Sequence, residues 1–203
     1  MPDLFGHPAQ TGRNMLPQDG HVEYFGPVIP PAEADEIFQQ LLTGIGWQPD
    51  QTFIQGKLQE TSRKVAWYAE QDFTYSYSGT SKTALPFTGL LLALKERAET
   101  LCQTWFNSCL LNLYHSGAEG VAWHSDAEKA LKRDGVIASL SFGAERRFLF
   151  RHKTSQEQVT LWLEHGSLLV MQGATQRYWL HSLPRALREK NPRVNLTFRQ
   201  IQR

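Results

Sequence analysis

The sequence predicts an α+β protein with a double-stranded β-helix, or jelly-roll, core and two supporting helices. Two amphipathic segments come early, from Pro31 to about Leu42 and from Pro86 to about Phe106. Seven short strands at close spacing indicate a sandwich or barrel, and helices that precede such an array can cover one of its sheets. These strands are predicted at 109–115, 136–142, 145–152, 157–163, 167–173, 178–183 and 193–202.

The first half of the chain supplies the helices. A short strand from Val22 to Val28 ends at Pro30, and Pro31 suits the first turn of the first helix. Gly44 and Gly46 are expected to stop that helix, and strands with turns follow over 47–77. Two apolar stripes are predicted to be buried: Ile37, Phe38, Leu41 and Leu42 on the first helix, and Leu90, Leu91, Leu94, Ala98, Leu101 and Trp105 on the second.

The chain length fits one domain, which we place at 23–203 after an arm at 1–22. Cys102 and Cys109 both lie in apolar contexts, so two buried free thiols in a reducing compartment are expected. No apolar run is long enough to span a bilayer, and the N-terminus lacks the pattern of a signal peptide. We therefore expect a cytoplasmic monomer without a membrane partner.

Charge is distributed unevenly along the chain. Residues 131–203 contain 13 Lys and Arg against 5 Asp and Glu, whereas residues 1–130 contain 8 against 15. A basic half favours an anionic partner or substrate, with nucleic acid as one class. A solvated basic face or a site for a small acid would explain the same charge.

A candidate metal site combines an H-x-D pair, His124 and Asp126, with the distant His181. On extended backbone the side chains of such a pair point the same way. Two histidines and one carboxylate form a facial triad that leaves metal positions open, as in non-haem Fe(II) oxygenases. An H-x-D pair alone is common by chance, and zinc would suit the same ligands, so the residues alone leave the metal open.

The last predicted strand has an unusual polar face. Arg193, Asn195, Thr197 and Arg199 share one parity, so they face one side, which is unsuited to an apolar core unless it binds something. Paired guanidinium groups suit a dicarboxylate because each can make two charge-assisted hydrogen bonds. Asn112 and Tyr114 have matching parity on the first core strand and could line the same cavity. An exposed sheet face is the alternative.

With these motifs together, the sequence resembles the AlkB family of Fe(II)/2-oxoglutarate-dependent nucleic-acid demethylases, and most of all its double-stranded-DNA repair branch. The similarity covers about Gly56 to Arg203. The blocks that carry it are Ser62-Arg63-Lys64, Thr74-Tyr75-Ser76-Tyr77-Ser78-Gly79, Asn112-Leu113-Tyr114, His124-Ser125-Asp126-Ala127-Glu128, Ala138-Ser139-Leu140-Ser141-Phe142-Gly143-Ala144, Gly166-Ser167-Leu168-Leu169, His181-Ser182-Leu183-Pro184 and Arg193-Val194-Asn195-Leu196-Thr197-Phe198-Arg199.

The resemblance implies three sets of site residues. The iron ligands are His124, Asp126 and His181. The 2-oxoglutarate cosubstrate is bound by Arg193 and Arg199, with help from Asn112, Tyr114, Asn195 and Thr197. A nucleotide-recognition lid at about 50–80 precedes the jelly-roll core at about 109–203. The implied substrate-binding residues are Gln55, Arg63, Lys64, Tyr75, Tyr77 and Glu128.

The activity implied is oxidative demethylation of N-alkylated bases such as 1-methyladenine and 3-methylcytosine. It consumes O₂ and converts 2-oxoglutarate to succinate and CO₂, and the hydroxylated methyl group leaves as formaldehyde. The base must leave the stack to reach the metal. DNA is the expected polymer and RNA the alternative. An oxygenase of modified RNA or protein, and a non-catalytic nucleic-acid-binding module, are the rival functions.

One difference from the family's sequence pattern predicts whether the protein prefers single-stranded or double-stranded DNA. The duplex-acting branch places an apolar finger before a Gly-Lys pair, whereas this chain has Ile54-Gln55-Gly56-Lys57. Flipping a base out of a duplex costs roughly a few kcal/mol, and polar Gln55 fills the resulting gap poorly. We expect a higher kcat/KM on single-stranded than on paired oligonucleotides carrying one 1-methyladenine, at one salt concentration.

Two variants accompany that comparison. Gln55→Phe should raise activity on the duplex selectively, because an aromatic ring can occupy the space of the extruded base. Ile54→Ala tests the neighbouring apolar side chain. Equal rates of the native protein on both substrates, with Ile54→Ala harmless, would show that strand opening does not depend on this segment.

Overall fold

The structure is a computed structural model that describes residues 12–54, 57–71, 73–77 and 80–202. Three helices lie within these residues: α1 (Pro31–Gly44), α2 (Gly89–Cys102) and the short α3 (Thr175–Tyr178). The strands are β1 (His21–Pro27), β2 (Gln48–Ile54), β3 (Lys57–Ala69), β4 (Thr74–Tyr77), β5 (Thr80–Thr83), β6 (Leu85–Pro86), β7 (Ser108–Tyr114), β8 (Val121–His124), β9 (Ile137–Gly143), β10 (Arg146–His152), β11 (Gln158–Leu163), β12 (Ser167–Gln172), β13 (Trp179–Leu183) and β14 (Arg193–Arg199).

Two sheets, antiparallel except where the two-residue β6 pairs with β3, form the jelly roll. The main sheet runs β1-β12-β9-β14-β7-β3-β2, with β6 beside β3, and the smaller sheet runs β11-β10-β13-β8. A separate hairpin pairs β4 with β5. The predicted α+β class is confirmed, and each of the seven strands predicted after position 108 is present within a few residues of its expected bounds.

The main sheet buries its two faces differently. On one face, α1 and α2 cover a large apolar cluster that includes Leu41, Leu91, Leu111, Leu140 and Phe198, each 0% exposed. On the other face, a smaller cluster that includes Phe150 and Trp179 packs between the two sheets. The smaller cluster fills only part of that space, so polar side chains can line the remainder.

Residues 12–20 lie against the sandwich rather than away from it. Leu16 is buried in the inter-sheet cluster. The side-chain oxygen of Asn14 accepts hydrogen bonds from the backbone N–H groups of Leu16 and Val22, and the indole N–H of Trp179 donates to the carbonyl of Gln18. This part of the predicted arm is therefore draped over the core.

The predicted bounds of the second helix were wrong. Pro86 pairs in β6, and the helix starts at Gly89 because the Thr88 side chain caps it by accepting from the Leu91 N–H. It ends at Cys102 because Gln103 adopts a left-handed conformation with φ of 50°. Trp105, expected in the buried stripe, lies beyond the helix and is 53% exposed.

β8 was not predicted, and neither were the short strands β5 and β6. β8 has only four residues, Val121–His124, and its inward and outward side chains do not alternate in polarity. It pairs with β13, which places His124 opposite His181. β8 thus carries the first histidine of the candidate metal site.

None of the helices in the described parts of the chain has the length and apolar character needed to cross a membrane.

Leu140 tests the core between sheet and helices. It lies on β9 with no exposed surface, so Leu140→Ala removes buried apolar area and leaves a cavity. We expect the free energy of unfolding to fall by about 2–5 kcal/mol in urea denaturation. Leu187→Ala, at a side chain that is 68% exposed, is the matched control and should change it by less than about 0.5 kcal/mol. Equal effects of the two variants would contradict the packing.

Candidate metal centre and cosubstrate cleft

Three potential metal ligands converge between the sheets. His124 is the last residue of β8, Asp126 follows it in irregular backbone, and His181 lies in the middle of β13. The Asp126 Oδ1 atom is 3.7 Å from Nε2 of His124 and 3.7 Å from Nε2 of His181. One ligand atom from each residue lies within 4.8 Å of the other two. The structure therefore brings the predicted triad together.

Asp126 is held from two sides. Its Oδ2 accepts from Nε and Nη2 of Arg199, at 3.0 and 2.6 Å, and its backbone N–H donates to the Gln176 side-chain oxygen at 2.9 Å. Burial alone would raise the Asp126 pKa, but the Arg199 guanidinium, with the two histidines, holds that pKa well below its usual range. The carboxylate stays ionised, with Oδ1 facing the histidines.

The two imidazoles are oriented by different contacts. The His124 Nδ1–H donates to the Ala122 carbonyl at 2.9 Å, which leaves Nε2 free as a ligand. Burial, followed by the nearby His181, lowers the His124 pKa and favours the neutral form that binds metals. The His181 ring stacks on Phe148 with centroids 5.4 Å apart, and Phe150 packs against its edge.

A cleft of about 270 Å³ opens from this triad into the jelly roll. Its wall combines the polar face of β14 with residues of β3, β7 and the smaller sheet. All three candidate metal ligands and all six residues predicted for the cosubstrate lie along it: His124, Asp126, His181, Asn112, Tyr114, Arg193, Asn195, Thr197 and Arg199.

Arg193 is the buried cation of the cleft, at 2% exposure. Its Nη2 donates to the Ser141 hydroxyl at 2.9 Å, and its guanidinium lies 5.5 Å from the centre of the Tyr114 ring. Its Nε has no hydrogen-bond partner among the residues that the structure describes. Burial lowers the pKa of Arg193 to about 10. A buried cation with an unsatisfied donor is suited to an anionic ligand.

Arg199, at the other end of the same strand face, is engaged with Asp126. Between the two arginines, the Asn195 amide donates to the Ser139 hydroxyl at 2.8 Å, and the Thr197 hydroxyl donates to the Asn195 side-chain oxygen at 3.2 Å. Arg193 thus has a buried donor without a partner, and a contact of Arg199 with the cosubstrate stays a prediction.

The predicted substrate residues are placed unequally. Arg63 and Glu128 line the cleft, and Arg63 forms an ion pair with Asp50. Lys64 pairs across the sheet with Leu113, whose side chain packs under the helices, so Lys64 belongs to the face opposite the cleft. Tyr75 and Tyr77 are on β4, but their side chains, like the whole of Gln55, lie outside the described residues.

Several residues that support the site were not predicted. Gln176 holds the backbone of Asp126, Ser141 binds Arg193, and Phe148 stacks on His181. Ser141 shares the parity of Ser139 on a predicted strand, a signal that was available in the sequence. Gln176 and Phe148 depend on contacts between distant segments, which no local pattern specifies.

Asp126→Asn tests the metal site without removing the partner of Arg199. The amide oxygen can still accept from the guanidinium, but the negative charge on the metal side is lost. We expect the affinity for Fe(II), measured by calorimetry without oxygen, to fall by at least about 10–100-fold. Mutating residues that only orient a metal ligand already costs about that much. Asp35→Asn, at a carboxylate whose side chain is 76% exposed, is the control. Unchanged affinity in Asp126→Asn would remove Asp126 from the site.

Comparisons with known proteins agree with this geometry. Residues 21–199 match the family described as the 2OG-Fe(II) oxygenase superfamily. The chain is 40% identical over 178 residues to alpha-ketoglutarate-dependent dioxygenase alkB homolog 3 from Bos taurus, covering 83% of this chain and 62% of that protein. It is 39% identical over 181 residues to DNA oxidative demethylase ALKBH2 from Mus musculus, covering 84% and 76%.

The chain thus spans about 62% of the length of the alkB homolog 3 protein. The nearly equal identities to the two groups do not place it in the double-stranded-DNA branch. A solved structure titled "The structure of OsALKBH1" matches with a TM-score of 0.61 at 17% identity, covering 88% of this chain and 97% of that one, which supports the fold. The extent and identity of these matches show that the chain belongs to the AlkB family of 2OG-Fe(II) oxygenases.

Proposed function

We propose that this protein is an Fe(II)/2-oxoglutarate-dependent dioxygenase that removes N-methyl groups from bases of the 1-methyladenine and 3-methylcytosine type in DNA. One observation carries the proposal: a His-Asp-His triad and a buried arginine with a free donor open into one cleft. The family membership gives Fe(II), 2-oxoglutarate and O₂ as the cofactors. The names of the relatives, DNA oxidative demethylase and alpha-ketoglutarate-dependent dioxygenase, support the reaction and the polymer.

The triad fits Fe(II) by its donor set. Two neutral imidazole nitrogens and one ionised carboxylate oxygen suit a borderline divalent metal and leave further positions open. His124 and His181 would hold the metal through Nε2, and Asp126 through Oδ1, because Arg199 occupies Oδ2. Phe148, Phe150 and the inter-sheet cluster limit water on the His181 side.

The cleft fits a dicarboxylate by its charge and its unsatisfied donor. The Arg193 guanidinium would bind the carboxylate of 2-oxoglutarate that lies farther from the metal, and the ligand would supply the acceptor that Nε lacks. Ser141 and Tyr114 hold the guanidinium in place before the ligand arrives. Asn112, Asn195 and Thr197 line the space between Arg193 and the triad.

With iron, 2-oxoglutarate and O₂ bound, the site supplies the oxidising power to hydroxylate a methyl C–H bond while 2-oxoglutarate is decarboxylated to succinate. The protein's own residues then set where this occurs. Asp126 and the histidines would hold the metal at the wall of the cleft. Glu128 lines the same cleft, where its carboxylate can accept from N–H groups of an extruded base. Arg63 lies on the same wall, where its ion pair with Asp50 holds the guanidinium in place as a hydrogen-bond donor for the strand.

The resemblance adds Tyr77 as the ring that stacks on the extruded base and Tyr75 and Gln55 as further contacts, whereas Lys64 lies on the opposite face of the sheet. RNA in place of DNA is the alternative polymer, and an otherwise identical site would serve it because the cleft residues face the base and the cosubstrate. The monomeric state and the cytoplasmic location stay predictions.

The test is coupled turnover. The protein with Fe(II), 2-oxoglutarate and O₂ should convert a single-stranded oligonucleotide carrying one 1-methyladenine to the unmethylated form, with one succinate formed per methyl group removed. A matching RNA oligonucleotide and an unmethylated DNA oligonucleotide are run beside it. Succinate formation that does not depend on a methylated nucleic acid would favour the rival oxygenase of another substrate. Absence of succinate in all arms would favour the non-catalytic binding module.

Arg193→Lys in the same assay tests the cosubstrate contact. Lysine keeps the charge but cannot form paired hydrogen bonds, so the apparent KM for 2-oxoglutarate should rise about 10–100-fold, on the basis of roughly 1.5–3 kcal/mol per charge-assisted bond. Arg147→Lys is the matched control because Arg147 is exposed on the outer face of β10. A change of less than twofold in Arg193→Lys would show that Arg193 does not bind the cosubstrate.

A further inference from the structure

A second cavity lies directly behind the metal-site carboxylate. It has a volume of about 530 Å³, larger than the cosubstrate cleft, and is formed by the segment 126–137, the loop at Lys153, helix α3 and the end of β14. Asp126, Glu128 and Arg199 belong to the walls of both cavities. The two spaces are therefore neighbours, and we call the larger one the basic cleft.

Cations dominate the rim of the basic cleft. Lys129, Lys132, Arg133 and Lys153 all line it and are exposed to solvent. Within the described parts of the chain, none of the four has a carboxylate partner. Lys153 donates to the Ser125 hydroxyl at 3.4 Å and to the Gln176 carbonyl at 2.9 Å, and Lys132 lies 5.9 Å from the centre of the Trp105 ring.

The acidic groups of the cleft do not cancel this charge. Asp134 is neutralised by Arg177, which donates to it at 2.9 Å, and Asp126 is neutralised by Arg199. Glu128 is the remaining carboxylate of the described lining, and it is shared with the cosubstrate cleft. A net excess of positive charge in a concave site focuses the field on an anion.

The position of the basic cleft next to Glu128 indicates which anion the cleft binds. Glu128 marks where an extruded base would lie in the proposed reaction, and a nucleotide there carries a phosphate on each side. The strand continues on both sides of that nucleotide, and one side would run along the surface that adjoins Glu128. We propose that the basic cleft binds the backbone phosphates of the substrate strand beside the extruded nucleotide, through Lys129, Lys132, Arg133 and Lys153. This inference rests on the proposed function and extends it by a path for the strand.

The chemistry of the rim matches a sugar–phosphate backbone. Lysines act as mobile point charges that follow a strand without reading its sequence, and phosphate contacts position the chain while base contacts specify. Trp105, beside Lys132 and 53% exposed, offers a flat apolar surface at the edge of the cleft on which an adjacent base can stack. A free phosphate or mononucleotide would use the same cations, so the test separates the two sources.

The first measurement is equilibrium binding by fluorescence anisotropy, using a labelled single-stranded oligonucleotide with one 1-methyladenine. Arg133→Ala and Lys132→Ala should each weaken binding about 3–10-fold. Each should also lower the steepness of the logarithmic salt dependence by about 0.7, the value for one lost contact to single-stranded nucleic acid. Arg147→Ala removes an exposed arginine from the outer face of β10 and should change binding less than twofold. Thermal melting of each variant verifies the fold.

The second measurement places the contact. A neutral methylphosphonate replaces one phosphate at a time on either side of the methylated base. If Arg133 contacts a given phosphate, Arg133→Ala should no longer reduce the affinity once that phosphate is neutral. The variant with the modified strand should then bind no more weakly than either single change does. Inorganic phosphate and adenosine monophosphate are added as competitors, and competition only at concentrations far above that of the strand supports the strand as the ligand.

Three outcomes would overturn the inference. The variants in the basic cleft could behave like Arg147→Ala, their effects could be independent of every methylphosphonate, or the free nucleotide could compete as strongly as the strand. Binding is measured without turnover, so these outcomes are distinct from failure of the proposed reaction. If the native protein demethylates the oligonucleotide and the variants bind it as tightly as the native protein does, the proposed function stands and the proposed path of the strand is wrong.

Discussion

The site depends on the buried ion pair between Asp126 and Arg199. Asp126 is 6% exposed, and a carboxylate at that depth would take up a proton if it stood alone. The two-pronged contact of Arg199 keeps it charged and fixes which oxygen faces the histidines. Removing either partner would leave an uncompensated buried charge, a change that commonly costs several kcal/mol. The pair therefore couples metal binding to the integrity of the main sheet.

The same pair links the site to acid stability. Because the Asp126 pKa is lowered in the folded protein, its contribution to stability is fully present above the pKa of an aspartate in an unfolded chain. That contribution is lost as the pH falls toward the folded value. A carboxylate paired with a cation therefore makes the folded protein less stable at acidic pH.

Strand β14 shows how one segment serves both core and site. Val194, Leu196 and Phe198 are each 0% exposed and pack under the helices. The residues between them face the cleft, where Arg193 and Arg199 stand at its two ends. The side-chain period of two gives each strand face a separate role. The apolar face fixes the register in the sheet, and the register in turn sets the separation between the cosubstrate cation and the metal-site cation.

Features governed by local periodicity could be read from the sequence. The alternation along β14 and the parity of Asn112 and Tyr114 predicted a shared cavity, and the cavity is present. The start of α2 was misplaced because a proline can open a helix or sit in an edge strand, and only the pairing of β6 with β3 decides. The contacts of Gln176 and Phe148 join segments far apart in sequence, so only the three-dimensional structure reveals them.

The most direct test of the site is a crystal structure of the anaerobic complex with Fe(II) and 2-oxoglutarate. The metal should be bound by Nε2 of His124, Oδ1 of Asp126 and Nε2 of His181, with Arg199 still on Oδ2. One carboxylate of 2-oxoglutarate should lie on the metal and the other on the Arg193 guanidinium. A metal without Asp126 in its coordination sphere, or a 2-oxoglutarate carboxylate that avoids Arg193, would contradict the site proposed from the cleft.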